Sequence, residues 1–234
     1  MVERGLAPSR ESARALIELG LVRARDSVVV RPAQLLPDDA PLEVVVPPRY
    51  VSRGGEKLAG ALAAFGLDVS GRDCVDIGAS TGGFTDCLLQ HGARRVVAVD
   101  VGRGLLHQRV ALDTRVVRME GVNARDLPPL PFPCSVATVD VAFISLRLVL
   151  PPLAARLGPG ADIVALVKPQ FEARRGEVGK GGIVRDPAVR HAVLGRMAGW
   201  LGENGFWVLG FCRSPILGGG GNVEYFLHLR HARE

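Results

Sequence analysis

This sequence predicts a doubly wound α/β sheet of seven strands, mostly parallel, with its final strand antiparallel. Three observations carry the prediction. From residue 73 onward, short apolar runs alternate with segments of helical period. A glycine-rich stretch, Asp76-Ile77-Gly78-Ala79-Ser80-Thr81-Gly82-Gly83-Phe84-Thr85, falls where the first of these strands turns into a helix. The last two strands are separated only by residues 213–222. That is too short for the crossover that parallel neighbours need, so the final strand must reverse direction.

Taken in order, residues 1–46 form a small unit of their own. Ser9 caps a helix carrying Ala13, Leu16 and Ile17, and Gly20 stops it. Residues 28–30 and 42–46 are apolar runs flanking a Pro/Asp-rich turn, and are expected as two strands. Residues 47–56 form a linker that begins with the stiff Pro47-Pro48 pair. The helix opened by residues 51–58 continues through Leu62 and Phe65 and ends at Gly66. The main domain, 57–234, has strands expected at 73–77, 95–100, 115–119, 135–140, 162–167, 206–212 and 223–229. Its further helices are expected at 83–91, 104–110, 145–156 and 187–203.

Composition bounds what the chain can be. With 234 residues, 47% hydrophobic and 23% charged, it is long enough for one substantial core. No apolar run approaches the roughly 18–20 residues of a membrane span, and no charged-then-apolar leader opens the sequence. The expected compartment is therefore the cytoplasm, with no membrane partner. The four cysteines are scattered, as expected of reduced, buried thiols, and the five histidines form no metal-ligand pattern. The net charge of +5 suits a polyanionic partner without requiring one. Residues 1–50 hold seven Arg against seven acidic residues, so the excess lies beyond them. Of the 29 basic residues only Lys57, Lys168 and Lys180 are lysines. Lysine is the basic side chain that can lose its proton, which singles these three out.

The glycine-rich turn suits a ligand that approaches the backbone closely at a helix N-terminus. One strand later, Asp100 ends an apolar run, where nucleotide-binding α/β folds place an acid on ribose hydroxyls. Asp76, Gly78, Ser80, Gly82, Gly83 and Phe84 are thus candidates for the donor side of a site, with Asp100 at the ribose. Asn123, Asp126 and Asp140 are further candidates around the same ligand. Seven strands with an antiparallel last strand are what Rossmann-like class I methyltransferases share, and the turn with Asp100 then points to S-adenosylmethionine. Asp140 and Lys168 end the fourth and fifth strands, Glu224 opens the last, and Lys57 precedes the first. All four therefore converge at one sheet edge. A ribose hydroxyl needs a base to take its proton as the methyl transfers. Lysine can serve if burial or a second ammonium lowers its pKa. Lys168 is the favoured base, with Asp140 orienting it and Glu224 holding a lysine or the ribose.

Two resemblances follow from these residues. The order Lys57, Asp140, Lys168, Glu224 matches the Lys-Asp-Lys-Glu tetrad of the FtsJ-like RNA ribose 2′-O-methyltransferases. More narrowly, the chain resembles the TlyA family. The matching stretches include residues 50–58, 76–85, 142–146, Val167-Lys168-Pro169-Gln170-Phe171-Glu172, 179–186 and Gly221-Asn222-Val223-Glu224. Residues 9–22 are similar to the core of the RNA-binding domain first described in ribosomal protein S-four. The family's usual upstream helical turn is missing, so the domain is expected to be shortened. The resemblance implies S-adenosylmethionine as cofactor, ribosomal RNA or ribosomal subunits as partner, and cytidine as the modified nucleotide. It also implies RNA contacts for Arg10, Arg14, Arg23 and Arg53, and for Arg174, Arg175, Lys180 and Arg185 in a glycine-rich loop. An amphipathic helix with solvated arginines, or a solvated loop, would give the same patterns. A monomer is the expected state. Two rival readings stand at this stage: an RNA-binding module without catalysis, and a membrane-damaging haemolysin.

Overall fold

A computed structural model describes residues 1–25, 27–37, 39–45 and 48–232. The chain divides into two compact units, Met1–Arg49 and Tyr50–Glu234. Among the described residues no helix is long and apolar enough to cross a membrane.

In the first unit, α1 (Arg10–Glu18) is capped by Ser9, whose hydroxyl oxygen accepts from the Ser12 N–H at 3.1 Å. Gly20 follows the helix at φ +69°. Three short strands, β1 (Val22–Ala24), β2 (Ser27–Val28) and β3 (Leu42–Val44), form an antiparallel sheet in the order β2-β1-β3. The central strand β1 was not expected, because three residues are too few to show alternation. The strand expected at 28–30 ends at Val28. That expected at 42–46 ends at Val44, with Val46 outside the described residues. The buried apolar side chains here are few and small: Ala7, Ala13, Val22, Val29 and Ala40.

The second unit opens with buried Tyr50, so residues 50–56, expected as linker, belong to it. Its helix α2 (Arg53–Phe65) ends at left-handed Gly66. The elements that follow are β4 (Asp73–Ile77), α3 (Gly83–Gln90), β5 (Arg95–Asp100), α4 (Gln108–Ala111), β6 (Val116–Glu120) and β7 (Val136–Val139). They continue with α5 (Leu150–Ala154), β8 (Asp162–Val167), α6 (Pro169–Glu172), α7 (Pro187–Glu203), β9 (Phe206–Arg213) and β10 (Tyr225–His231). The sheet order is β6-β5-β4-β7-β8-β10-β9. β10 is antiparallel to both β8 and β9, while the pairs among β4 to β8 are parallel. The fold is thus the mostly parallel α/β sheet with an antiparallel final strand that the sequence predicts.

Alternation along the central strands feeds two cores. Val75, Ile77, Val97, Val99, Ala137 and Val139 pack with Leu150 and Leu153 of α5 and Met197 and Leu201 of α7. Cys74, Val96, Val136, Val164 and Leu166 face the opposite layer, against Leu58 and Leu62 of α2 and Phe84 and Leu88 of α3. Two expected helices are shorter than the pattern suggests. The one at 104–110 is reduced to α4: Gly104 sits at φ +65°, and His107 caps the helix, its ring Nδ1 accepting from Arg109 N at 3.1 Å. The one at 145–156 becomes a 3₁₀ turn, Leu146–Leu148, followed by α5. Pro151 and Pro152 lack the N–H that a continuous helix would need there, so they fit only its first turn.

Candidate active site

The glycine-rich turn is built at the carboxyl end of β4. Gly78 has φ +83°, and a Cβ there would lie 2.3 Å from the Asp140 carbonyl oxygen, so only glycine lets the ends of β4 and β7 approach this closely. The Gly78 and Ala79 N–H groups donate to Val99 O at 2.9 and 3.0 Å. Ser80, also at positive φ, donates its N–H to Asp100 Oδ2 at 2.8 Å, and Gly102 N donates to Asp100 Oδ1 at 2.7 Å. The Asp100 carboxylate is therefore fixed at the cavity wall by two backbone donors.

Two cavities meet at this turn, both lined by Gly78, Ser80 and Asp140. The larger, about 900 Å³, is walled by Asp100, Leu105, Asn123, Phe143, Ile144 and Phe171. That size accommodates a nucleoside-bearing ligand. Asn123 is held by its own turn, its Oδ1 accepting from Arg125 N at 3.1 Å. The smaller, about 190 Å³, is lined by Ser52, Arg53, Lys57, Gly83, Phe84 and Gly218, among others. Arg53 crosses its rim to donate to Leu217 O at 2.6 Å.

Lys57, Asp140, Lys168 and Glu224 assemble here as two ion pairs. Lys57 Nζ, on α2, donates to Glu224 Oε2 at 2.5 Å, and both residues are buried, at 9% and 2% exposure. Lys168, at the N-cap of α6, places Nζ 2.5 Å from Asp140 Oδ1. This second contact lacks hydrogen-bond alignment, so it acts as a charge pair. Gly218 presses on Glu224: a Cβ at that position would fall 1.9 Å from Oε1. Each lysine thus has its own carboxylate, an arrangement that cancels charge locally while keeping four polar side chains at the mouth of the sheet.

Three residues expected to hold the donor are placed elsewhere. Asp76 is fully buried between strands and helix, accepting from Thr85 Oγ1 at 2.7 Å and Thr138 Oγ1 at 2.9 Å. Its carboxylate ties β4 to α3 and β7 and lines neither cavity, and burial pushes its pKa up to about 6. A Cβ on Gly82 would face Leu106 and Val110, away from the cavities. Asp126 is exposed on a separate groove with Pro128 and Pro152.

Of the expected RNA contacts, Arg174, Arg175, Lys180 and Arg185 are exposed on the loop after α6. That loop is fastened in place. Glu177 pairs with Arg196 at 2.6 Å, and buried Asn222 accepts from Val184 N at 3.0 Å and donates to Gly182 O at 2.9 Å. In the first unit, Arg10 and Arg14 line a groove along α1, Arg14 Nε donating to Glu18 Oε1 at 2.8 Å, and Arg23 is exposed on β1.

Sequence reasoning assigned no role to Ser52, Phe143, Phe171, Glu172 or Asn222. All five lie inside stretches that carried the family resemblance, but the residues they meet are distant in sequence. Among the described residues no group of three His, Cys, Asp or Glu could hold a metal. Burial pushes the Cys74 and Cys134 thiols up to about 12.

A model of the FtsJ-like methyltransferase family matches residues 50–231. Among curated relatives, "Putative rRNA methyltransferase YqxC" of Bacillus subtilis is 50% identical over 98% of this chain and 83% of its own length. "16S/23S rRNA (cytidine-2'-O)-methyltransferase TlyA" of Mycobacterium tuberculosis is 48% identical over 98% of this chain and 87% of its own length. Among solved structures, "Putative hemolysin from Streptococcus thermophilus" superposes with a TM-score of 0.78 at 43% identity, covering 98% of this chain and 86% of that one. N-methyltransferase NodS of Bradyrhizobium japonicum, in complex with S-adenosyl-l-homocysteine, gives a TM-score of 0.55 at 14% identity. It covers 78% of this chain and 90% of that one, a likeness of fold alone.

Proposed function

Because the chain belongs to the family of FtsJ-like methyltransferases, we propose that it methylates the 2′-hydroxyl of a cytidine ribose in ribosomal RNA, acting in the cytoplasm. The observation that carries this reading is the meeting, at Asp140, of the Asp100-bearing cavity with the smaller one that Lys57 lines, Lys168 being paired to Asp140 and Glu224 to Lys57. S-adenosylmethionine, when bound, supplies an electrophilic methyl group on its sulfonium. The residues present fit this cofactor: the oriented Asp100 carboxylate suits a ribose diol, Asn123 on the same cavity wall suits a base edge, and the turn at Gly78 and Ser80 lines both cavities.

The chain's own residues do the rest. Lys168, entering the step as the free amine, takes the proton of the ribose 2′-hydroxyl as the oxygen attacks, and Asp140, 2.5 Å away, holds the ammonium that forms. Lys57, locked by Glu224, stabilises charge that develops on the ribose oxygen. The fastened loop carrying Arg174, Arg175, Lys180 and Arg185 offers phosphate contacts that set the strand's register. The N-terminal unit, through Arg10, Arg14 and Arg23, adds a second RNA-binding surface.

The test is transfer of a labelled methyl group to ribosomal subunits by wild type and Lys168→Ala. Loss of a general base costs roughly 10²–10⁴-fold in rate, and binding of S-adenosylhomocysteine should persist. A variant that keeps full transfer would exclude Lys168 as the base.

A further inference from the structure

Glu172 lies four residues beyond Lys168, at the end of α6, and reaches back to the loop that leaves β7. Its Oε2 accepts from Ser145 Oγ at 2.6 Å, and its Oε1 accepts from Leu146 N at 2.7 Å. The loop it grips is the one that begins at Asp140. The segments 140–146 and 168–172 are therefore joined at both ends. The Lys168–Asp140 pair joins them near the strands, and the Glu172 carboxylate joins them at the far side. Between the two ties stands Phe143, at φ +62° and 92% exposed, with its ring 5.1 Å from that of Phe171. A side-chain-bearing residue in the left-handed region persists only where its surroundings over-determine it. Here the Asp140 N–H bond to Ile77 O fixes one end of the loop, and Glu172 fixes the other.

We propose that Glu172 is a positioning residue for methyl transfer. It acts through the 140–146 loop to hold Asp140 against Lys168 and to keep the Phe143–Ile144 wall of the larger cavity in place. This rests on the function proposed above, which assigns the Asp140–Lys168 pair to catalysis.

The experiment compares Glu172→Ala, Glu172→Gln and Ser145→Ala with wild type in the full chain. Steady-state transfer to ribosomal subunits, calorimetric binding of S-adenosylhomocysteine and amide hydrogen exchange are measured for each. Glutamine can still accept from Leu146 N–H while donating to Ser145 Oγ, so it keeps both ties. Glu172→Ala should lower kcat about 10²-fold, the size expected for a misplaced reacting group, and should expose the Leu146 amide to exchange. Its KM for the subunits should change by less than threefold. Glu172→Gln should return kcat to within a few-fold of wild type and keep Leu146 protected, with Ser145→Ala in between. The proposal is overturned if Glu172→Gln is as slow as Glu172→Ala, or if Glu172→Ala keeps full kcat. If Glu172→Ala does not fold, Glu172→Gln and Ser145→Ala decide by the same ordering. Should wild type itself transfer nothing to ribosomal subunits, the proposed function fails. The Leu146 exchange pattern still reads the tie: protection lost in Glu172→Ala and kept in Glu172→Gln supports it, and equal protection in both overturns it.

Discussion

Replacing Asp76 by asparagine should make the protein more stable at neutral pH, and the gain should disappear in acid. Asp76 is fully buried, with two threonine hydroxyls as its partners. Burial is the dominant cause of its raised pKa, from an ordinary 3.8 to about 6, and the Thr85 and Thr138 hydrogen bonds only partly oppose it. The unfolded chain ionises near 3.8 while the folded chain keeps its proton until about 6. Folding therefore takes up a proton between these values, and stability falls as pH rises across that window. Above it the cost is complete, roughly 3 kcal/mol for a hundredfold change in ionisation. Asparagine has the same shape and no charge. It must donate to one threonine rather than accept from both, a loss of about 1 kcal/mol. The net gain at pH 8 is then about 2 kcal/mol, or about 4–8 °C in Tm for a domain of this size. Calorimetric melting of both proteins from pH 4.5 to pH 8 tests this. A difference between the two that is the same at pH 5 and pH 8 would refute the assignment of a buried, strained carboxylate.

Two further outcomes follow from the close packing around the site. Gly78→Ala places a methyl group 2.3 Å from the Asp140 carbonyl oxygen at a left-handed φ. It should cost about 2–4 kcal/mol of stability and weaken S-adenosylhomocysteine binding, whereas Gly71→Ala, left-handed but in open space, should cost only about 1 kcal/mol. Breaking the buried Lys57–Glu224 pair with Lys57→Met alone should destabilise by about 3–5 kcal/mol, because it strands a carboxylate. Adding Glu224→Leu should restore most of that stability without restoring methyl transfer, as denaturant titration and a transfer assay would show.

Much of the architecture was legible because strand-length apolar runs and the short 213–222 connection constrain topology directly. That connection alone required β10 to run against β9, as it does. Local chemistry was harder to read. The sequence gives no warning that Gly104 would take a left-handed turn, or that 145–156 would break at its prolines. Asp76 looked like a ligand because it adjoins the glycine turn. Its place in a strand buried on both faces turns it inward instead. The convergence of Lys57, Asp140, Lys168 and Glu224 followed from strand ends, but their division into two pairs depends on side-chain reach between distant segments. Glu172 was invisible for the same reason, since its partners lie 26 and 27 residues away.

The central claim is that the acceptor is a ribose oxygen, and the identity of the methylated nucleoside tests it most directly. Ribosomal RNA treated with wild-type protein and labelled S-adenosylmethionine would be digested completely and its nucleosides resolved. The label should appear in 2′-O-methylcytidine, and in dinucleotides that resist alkali because the 2′-oxygen is blocked. Label on a base-methylated nucleoside would contradict the account.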